Sequence, residues 1–250
     1  MKNSSKSQVA GAVLDGARET QAVSRGVREM FTSIAPRYDL LNHLLSLNID
    51  RLWWRRTARR FTRVLSDPHA VALDLCCGTG DMAFALRRVA QNEAKILGAD
   101  FSHAMLQRAR AKSIGTLLRW VEADALNLPF ESAQFDLITS AFGFRNLADY
   151  DAGLREIARV LKPGGECGIL DFSEPGGMAG QVYRLYFRHV LPRIGTLISG
   201  VRGPYAYLPA SVERFPSPEE MLKRMSQAGF CEVSWIPYTY GVAGLYWGKK

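Results

Sequence analysis

Leu73-Asp74-Leu75-Cys76-Cys77-Gly78-Thr79-Gly80-Asp81 is the stretch whose reading decides the fold. With the two residues before it, VALDLCC (71–77) is apolar almost throughout, as a central parallel strand buried on both faces requires. The run enters Gly-x-Gly, where residues without a Cβ let the backbone turn sharply and approach a ligand. A bare Gly-x-Gly is equally a plain tight turn, so its surroundings must decide. There is no Gly-x-x-x-x-Gly-Lys-Ser/Thr phosphate loop and no third glycine at dinucleotide spacing. Asp100, about 20 residues beyond Gly80, ends a second apolar run, where a carboxylate can accept both hydroxyls of a ribose. Asp124 ends a third; each acid has an alternative reading as a helix cap or surface residue.

Outward from this turn, strand-like and helical runs alternate, the pattern of a doubly wound α/β sheet. Asp81 to Ala90 predicts a helix with Met82, Ala85, Leu86 and Val89 on one stripe; KILGAD (95–100) is strand two, and Ser102 caps the next helix. LRWVEAD and FDLITSAF, ending at Asp124 and Phe142, are strands three and four. A helix from about Tyr150 to Leu161 is stopped by Lys162-Pro163-Gly164-Gly165, before strand five, ECGILDF. Ser217-Pro218-Glu219-Glu220 is a capping box with proline at the first helical position, and that helix runs to Gly229. EVSWIPYTY and GLYWGKK close the chain as an antiparallel pair. The expectation is a mostly parallel seven-stranded sheet in one domain over 21–250, with 1–20 a disordered tail. Residues 71–175 form the cofactor-binding core; 21–66 is a helical cover and 176–212 a covering insertion after strand five, both over the carboxyl ends of the strands where ligands bind.

The chain has 250 residues, 47% hydrophobic and 22% charged, which excludes a disordered, collagenous or disulfide-scaffold protein. No run approaches the roughly 20 apolar residues that cross a bilayer. MKNSSKSQ lacks the apolar core of a secretory signal, and Cys76, Cys77, Cys167 and Cys231 show no Cys-x-x-Cys spacing, so a reduced cytoplasmic protein is expected. His43, His69, His103 and His189 are isolated, and only His189, in the covering insertion, is a candidate pocket residue. The net charge is +8, but Arg51, Arg55, Arg56, Arg59, Arg60 and Arg63 contribute +6 with no acid among them, leaving +2 elsewhere. A surface that coats nucleic acid is not indicated.

Taken as a set, the strand–Gly-x-Gly–helix with acids ending strands two and three resembles the S-adenosylmethionine pocket of Rossmann-like class I methyltransferases. The resemblance implies Asp74 and the Gly78, Thr79, Gly80 turn near the methionine and ribose, Asp100 on the ribose, Asp124 with Ala125 at the adenine edge, and Ser140 beside the cofactor. Enzymes that methylate exocyclic nitrogens carry Asp/Asn-Pro-Pro-Tyr/Phe after strand four; Ser140-Ala141-Phe142-Gly143-Phe144-Arg145-Asn146 is unlike it. A guanidinium and an amide suit a substrate developing an oxygen anion.

Further motifs narrow the resemblance. Phe31-x-x-Ile34-Ala35-x-x-Tyr38-Asp39-x-x-Asn42, Arg51-x-x-Trp54, Leu128-Pro129-Phe130, Phe142 to Asn146, Arg159-Val160-Leu161-Lys162-Pro163-Gly164-Gly165 and Leu191-Pro192-Arg193-Ile194-Gly195 resemble the menaquinone/ubiquinone biosynthesis C-methyltransferase family over roughly residues 28 to 248. This implies methylation of a ring carbon on a prenylated quinol, demethylmenaquinol being the substrate most widely shared in the family. Cys76-Cys77, Phe144 and Asp171 depart from its common residues and leave a benzoquinol, as in ubiquinone biosynthesis, open. Methylation of another small hydrophobic molecule, or an RNA-binding protein with a methyltransferase-like domain, are the other readings.

The expected mechanism has Arg145, with Asn146, stabilising the quinol oxyanion while Tyr38 and Asp124 orient the ring or relay protons, with no metal. For Arg145 a salt bridge at the strand end, and for Tyr38, Asp39 and Asn42 a helix-entry network, are the alternatives. If 51–65 is helical, Trp54, Ala58, Phe61 and Leu65 share one stripe. The arginines then form either a solvated face or a contact with anionic lipid beside the substrate entrance. The expected partners are therefore a prenylated quinol, an anionic membrane met peripherally through 51–63 at the inner membrane surface, and a second copy of the chain, with no nucleic acid.

Overall fold

The computed structural model describes residues 20–35, 46, 48–173, 175 and 204–250. Tyr38, Asp39, Asn42, His43, His189, the motif at 191–195, most of the expected insertion and the N-terminal tail lie outside them. The helices are α1 (Thr20–Ile34), α2 (Ile49–Arg60), α3 (Thr62–Leu65), α4 (Asp81–Arg87), α5 (His103–Lys112), α6 (Tyr150–Val160), α7 (Pro204–Arg214) and α8 (Pro218–Gln227). The strands are β1 (Val71–Leu75), β2 (Lys95–Asp100), β3 (Leu118–Glu122), β4 (Phe135–Ala141), β5 (Leu161–Phe172), β6 (Glu232–Tyr238) and β7 (Ala243–Lys249).

They form one seven-stranded sheet in the order β3-β2-β1-β4-β5-β7-β6. β1 to β5 are parallel, and β7 enters antiparallel between β5 and β6. Strand order reverses between β1 and β4, so their carboxyl ends diverge into loops on opposite sides and open a crevice. One face is covered by α6 and α8 through Leu154, Ile157, Met221 and Met225, the other by α2 and α4 through Ala58, Met82 and Leu86, with Phe61 at the end of α2. The stripe Trp54, Ala58, Phe61, Leu65 packs on that second face, although the helix breaks at Phe61 into α2 and α3.

Element ends depart from expectation where local hydrogen bonding wins. β1 stops at Leu75 because Cys76 takes φ 53, outside the extended region. α6 stops at Val160: Leu161 is already extended and pairs with Phe135, so Lys162 to Gly165 form a bulged start to β5. Ser102 occupies the N-cap position of α5, but its side chain makes no cap bond; its hydroxyl meets Thr32 Oγ1 of α1 at 3.3 Å. The Ser217 cap does form, with Ser217 Oγ accepting from the Glu220 amide. Among the described residues no helix is long and apolar enough to cross a membrane.

Candidate active site

A cavity of about 310 Å³ lies over the reversal point, lined by residues from the carboxyl ends of β1, β2, β4 and β5 and by α1 and α2. Its floor is the turn after β1. Gly80 stands at φ 92 as the N-cap of α4, and a Cβ there would lie 2.3 Å from the Trp120 ring, so only glycine satisfies both the turn and the packing.

Asp100 knits this turn to the next. Its Oδ2 accepts from the Gly78 amide and its Oδ1 from the Ser102 amide, each at 2.8 Å. Burial pushes its carboxyl up to about 6, partly opposed by those amides. Each oxygen keeps a further lone pair, which is what a ribose diol needs. Asp74 is fully buried on β1; Oδ1 accepts from Thr139 Oγ1 at 3.0 Å, while Oδ2 has no hydrogen-bond partner among the described residues. Burial pushes its carboxyl up to about 8, against the Thr139 hydroxyl and the backbone of Ala83. Asp124 lies just beyond β3, exposed, holding the Leu126 amide at 2.9 Å, with buried Ala125 beside it. Asp74, Gly78, Thr79, Asp100, Asp124 and Ala125 all line the cavity. Ser140 is buried within β4 but is not among the lining residues; Ala141, Phe142 and Gly143 take that place.

On the other side Arg145 and Asn146 follow β4 in a short 3-10 turn and line the cavity. Arg145 Nη1 donates to Asp171 Oδ1 at 2.8 Å and to the Phe142 carbonyl, and the Arg145 amide donates to Asp171 Oδ2 at 3.1 Å. The salt bridge and the cavity position coexist, so the two readings of Arg145 are not exclusive. Asn146 Oδ1 is buried without a hydrogen-bond partner among the described residues, an acceptor where the sequence reading assigned only a donor.

Three aromatic rings complete this side. Phe142 and Phe172 have centroids 4.6 Å apart, and Trp53 lies 5.7 Å from the first and 6.1 Å from the second. None was singled out as a site residue. The available signals were an adjacent Trp pair at 53–54 and an aromatic residue ending strand five. Cys76 and Phe142 both stand at positive φ, 53 and 58, where β1 and β4 diverge. Left-handed backbone costs a non-glycine residue about 1–2 kcal/mol, and such strain gathers at functional sites.

Other motif residues serve the scaffold. Arg159 clamps the carbonyls of Leu128 and Phe130 at 3.0 and 2.8 Å, while Glu156 accepts from the Leu128 amide, so the helix-six motif holds the Leu-Pro-Phe loop. Among the described residues no group of three or more His, Cys, Asp or Glu is arranged to hold a metal ion.

Residues 17–250 match the model of the ubiE/COQ5 methyltransferase family. The chain belongs to the ubiE/COQ5 methyltransferase family. This ubiE/COQ5 chain is 48% identical to the demethylmenaquinone methyltransferase of Deinococcus radiodurans, over 93% of its own length and 95% of the relative's. It is 49% identical to the Thermus thermophilus enzyme of the same name, over 88% and 100%. A solved S-adenosylmethionine-dependent methyltransferase from Aquifex aeolicus shares the fold, with TM-score 0.53 at 19% identity over 76% and 92% of the two chains. As a ubiE/COQ5 member, the chain is a methyltransferase.

Proposed function

We propose that the protein transfers the methyl group of S-adenosylmethionine to a ring carbon of demethylmenaquinol, giving menaquinol. The observation that carries this reading is one cavity with two unlike halves: a glycine turn with carboxylates over β1–β3, and aromatic rings with Arg145 and Asn146 over β4–β5. From β2 to β5 is three strand spacings, roughly 14 Å. A donor and a ring acceptor lie side by side across that span. The relatives named for demethylmenaquinone support the acceptor.

S-adenosylmethionine supplies the methyl group on a cationic sulfonium, an electrophile that needs no further activation. Asp100 accepts the ribose hydroxyls, Asp124 and Ala125 border the adenine, and Asp74 faces the cationic end with its unpaired oxygen. Arg145, held by Asp171, donates to the quinol oxygen as its hydroxyl proton leaves, and Asn146 Oδ1 accepts from the second hydroxyl. The ortho carbon then attacks the methyl in line: the carbon–carbon bond forms as the carbon–sulfur bond breaks. Loss of the ring proton restores aromaticity and the quinol oxygen takes a proton back, so one proton is released per turnover. Tyr38 and Asp124 keep their joint assignment, orienting the ring or relaying protons.

Labelled S-adenosylmethionine incubated separately with reduced demethylmenaquinone and with a benzoquinol analogue tests the reading. Label on the naphthoquinol ring carbon is expected; label on neither, or only on the benzoquinol, overturns it.

The partners under this reading are a prenylated quinol, an anionic membrane face at the cytoplasmic side and a second copy of the chain, without nucleic acid. Arg56 stacks on Tyr238 at 4.4 Å, Arg60 on Trp247 at 5.1 Å, and Arg63 pairs with Glu166 at 3.0 Å. Membrane contact therefore rests first on Arg51, Arg55 and Arg59, with Arg63 still 83% exposed beside Glu166, at about 1 kcal/mol each. Equal binding to anionic and neutral vesicles would exclude that contact, and light scattering reads the dimer. Salt-dependent RNA retention without quinol turnover would reverse the assignment.

A further inference from the structure

At about 310 Å³ the cavity is near the small end of ligand sites. Resting on the quinol reading above, a prenyl chain is long beside a cavity of this size that also takes a donor and a ring, so part of the chain would lie beyond the cavity mouth, on the protein surface. The structure marks one place where it would do so.

The Trp53 indole N–H donates to Thr239 Oγ1 at 2.8 Å, tying the start of α2 to the β6–β7 connection, and both residues line the cavity. Trp53, Arg56, Thr57 and Arg60 follow helical spacing, and all lie against the β6–β7 region: Arg56 and Thr57 on Tyr238, Arg60 on Trp247. At about 100° per residue, Leu52 falls between this packed face and the outer face carrying Arg51, Arg55 and Arg59. It is 60% exposed. On the other side of the hydrogen bond, Tyr240 follows Thr239 and is 91% exposed. Thr239 and Tyr240 are consecutive non-glycine residues at positive φ, 46 and 56, a strained turn that presents a large ring to solvent. The other large exposed hydrophobics among the described residues, Ile114 and Leu117, both lie in the α5–β3 connection.

We propose that Leu52 and Tyr240 form an apolar lip, joined by the Trp53–Thr239 hydrogen bond, over which the prenyl chain of the acceptor leaves the cavity. The chain gains apolar contact on both sides of the mouth while its ring stays against Phe142 and Phe172.

The test compares kcat/KM for demethylnaphthoquinols bearing no, one and two prenyl units, in buffer without vesicles or micelles. Wild type is set against Leu52→Gln, Tyr240→Asn and the double variant. Glutamine keeps helix propensity, and asparagine tolerates left-handed backbone. In wild type two units should raise kcat/KM at least tenfold, mainly through KM. The double variant should lose at least fivefold of that gain while its tailless turnover stays within twofold of wild type. An unchanged gain, or an equal fall with the tailless acceptor, overturns the lip. A loss seen only when vesicles are added also overturns it, because the residues would then be a membrane contact. Wild type inactive on every quinol would instead refute the quinol reading, and the lip with it, before any variant is measured.

Discussion

Arg145 and Asp171 form a buried ion pair between the ends of β4 and β5, with Nη1 2.8 Å from Oδ1 and side chains 7% and 0% exposed. The same carboxylate also takes the Arg145 amide, so one acid holds both the backbone and the head of the residue assigned to the oxyanion. Removing one partner of a buried pair strands the other and costs about 3–5 kcal/mol. Asp171→Asn should therefore lower the thermal midpoint and reduce kcat. Asp171→Glu should recover part of both, as read by melting curves and steady-state rates.

Arg145→Ala should lose most turnover while calorimetry finds S-adenosylmethionine affinity little changed, because the proposed mechanism puts Arg145 on the acceptor side. Product formation at the wild-type rate would remove Arg145 from the mechanism.

Asp74 gives a pH dependence whose sign follows from its burial. Its carboxyl moves from 3.8 to about 8 on folding, so the folded state holds the proton. The stability this group contributes is full below the unfolded value and is lost as pH rises through about 8. Asp74→Asn should thus melt higher than wild type above that pH. A cationic donor favours the carboxylate, so donor binding should release protons and tighten as pH rises between about 6, where Asp100 titrates, and 8. Calorimetry in buffers of different ionisation enthalpy reads the proton count, which Asp74→Asn should reduce.

Gly143 packs on Cys76: a Cβ there would lie 2.4 Å from the Cys76 Cβ and 2.9 Å from its carbonyl oxygen. Gly143→Ala should destabilise by about 1–3 kcal/mol. Adding Cys76→Gly, which removes one of the two clashing atoms and accepts the positive φ, should restore part of that loss. Denaturant titration of the four-member cycle measures the coupling.

The thiols of Cys76, Cys77 and Cys167 are pushed up by burial, the last to about 12; Cys76 is half-buried in the cavity wall and held as the unreactive thiol, while Cys231 is exposed. Thiolate is the reactive form. One thiol per native chain should alkylate at neutral pH, and Cys231→Ser should abolish that labelling without loss of turnover.

Much of this protein is legible in one dimension. Strand β2, the Ser217 cap and the closing β6–β7 pair depend on near neighbours in the chain: an apolar run between turn signals, a hydroxyl three residues from an amide, a tight return. Gly78, Gly80 and Asp100 are also readable, because the βα turn and the end of the next strand are brought together by any parallel pairing of β1 with β2. Only the folded chain could unite Trp53, Phe142, Phe172 and Thr239, which come from four distant elements and have no shared spacing. It also decided that Asp171 holds Arg145, that Ser140 lies outside the cavity lining, and that one Asp74 oxygen has no hydrogen-bond partner among the described residues. Burial, charge pairing and ring contact are sums over neighbours in space, whereas the sequence by itself determines only what is adjacent along the chain and periodic within an element.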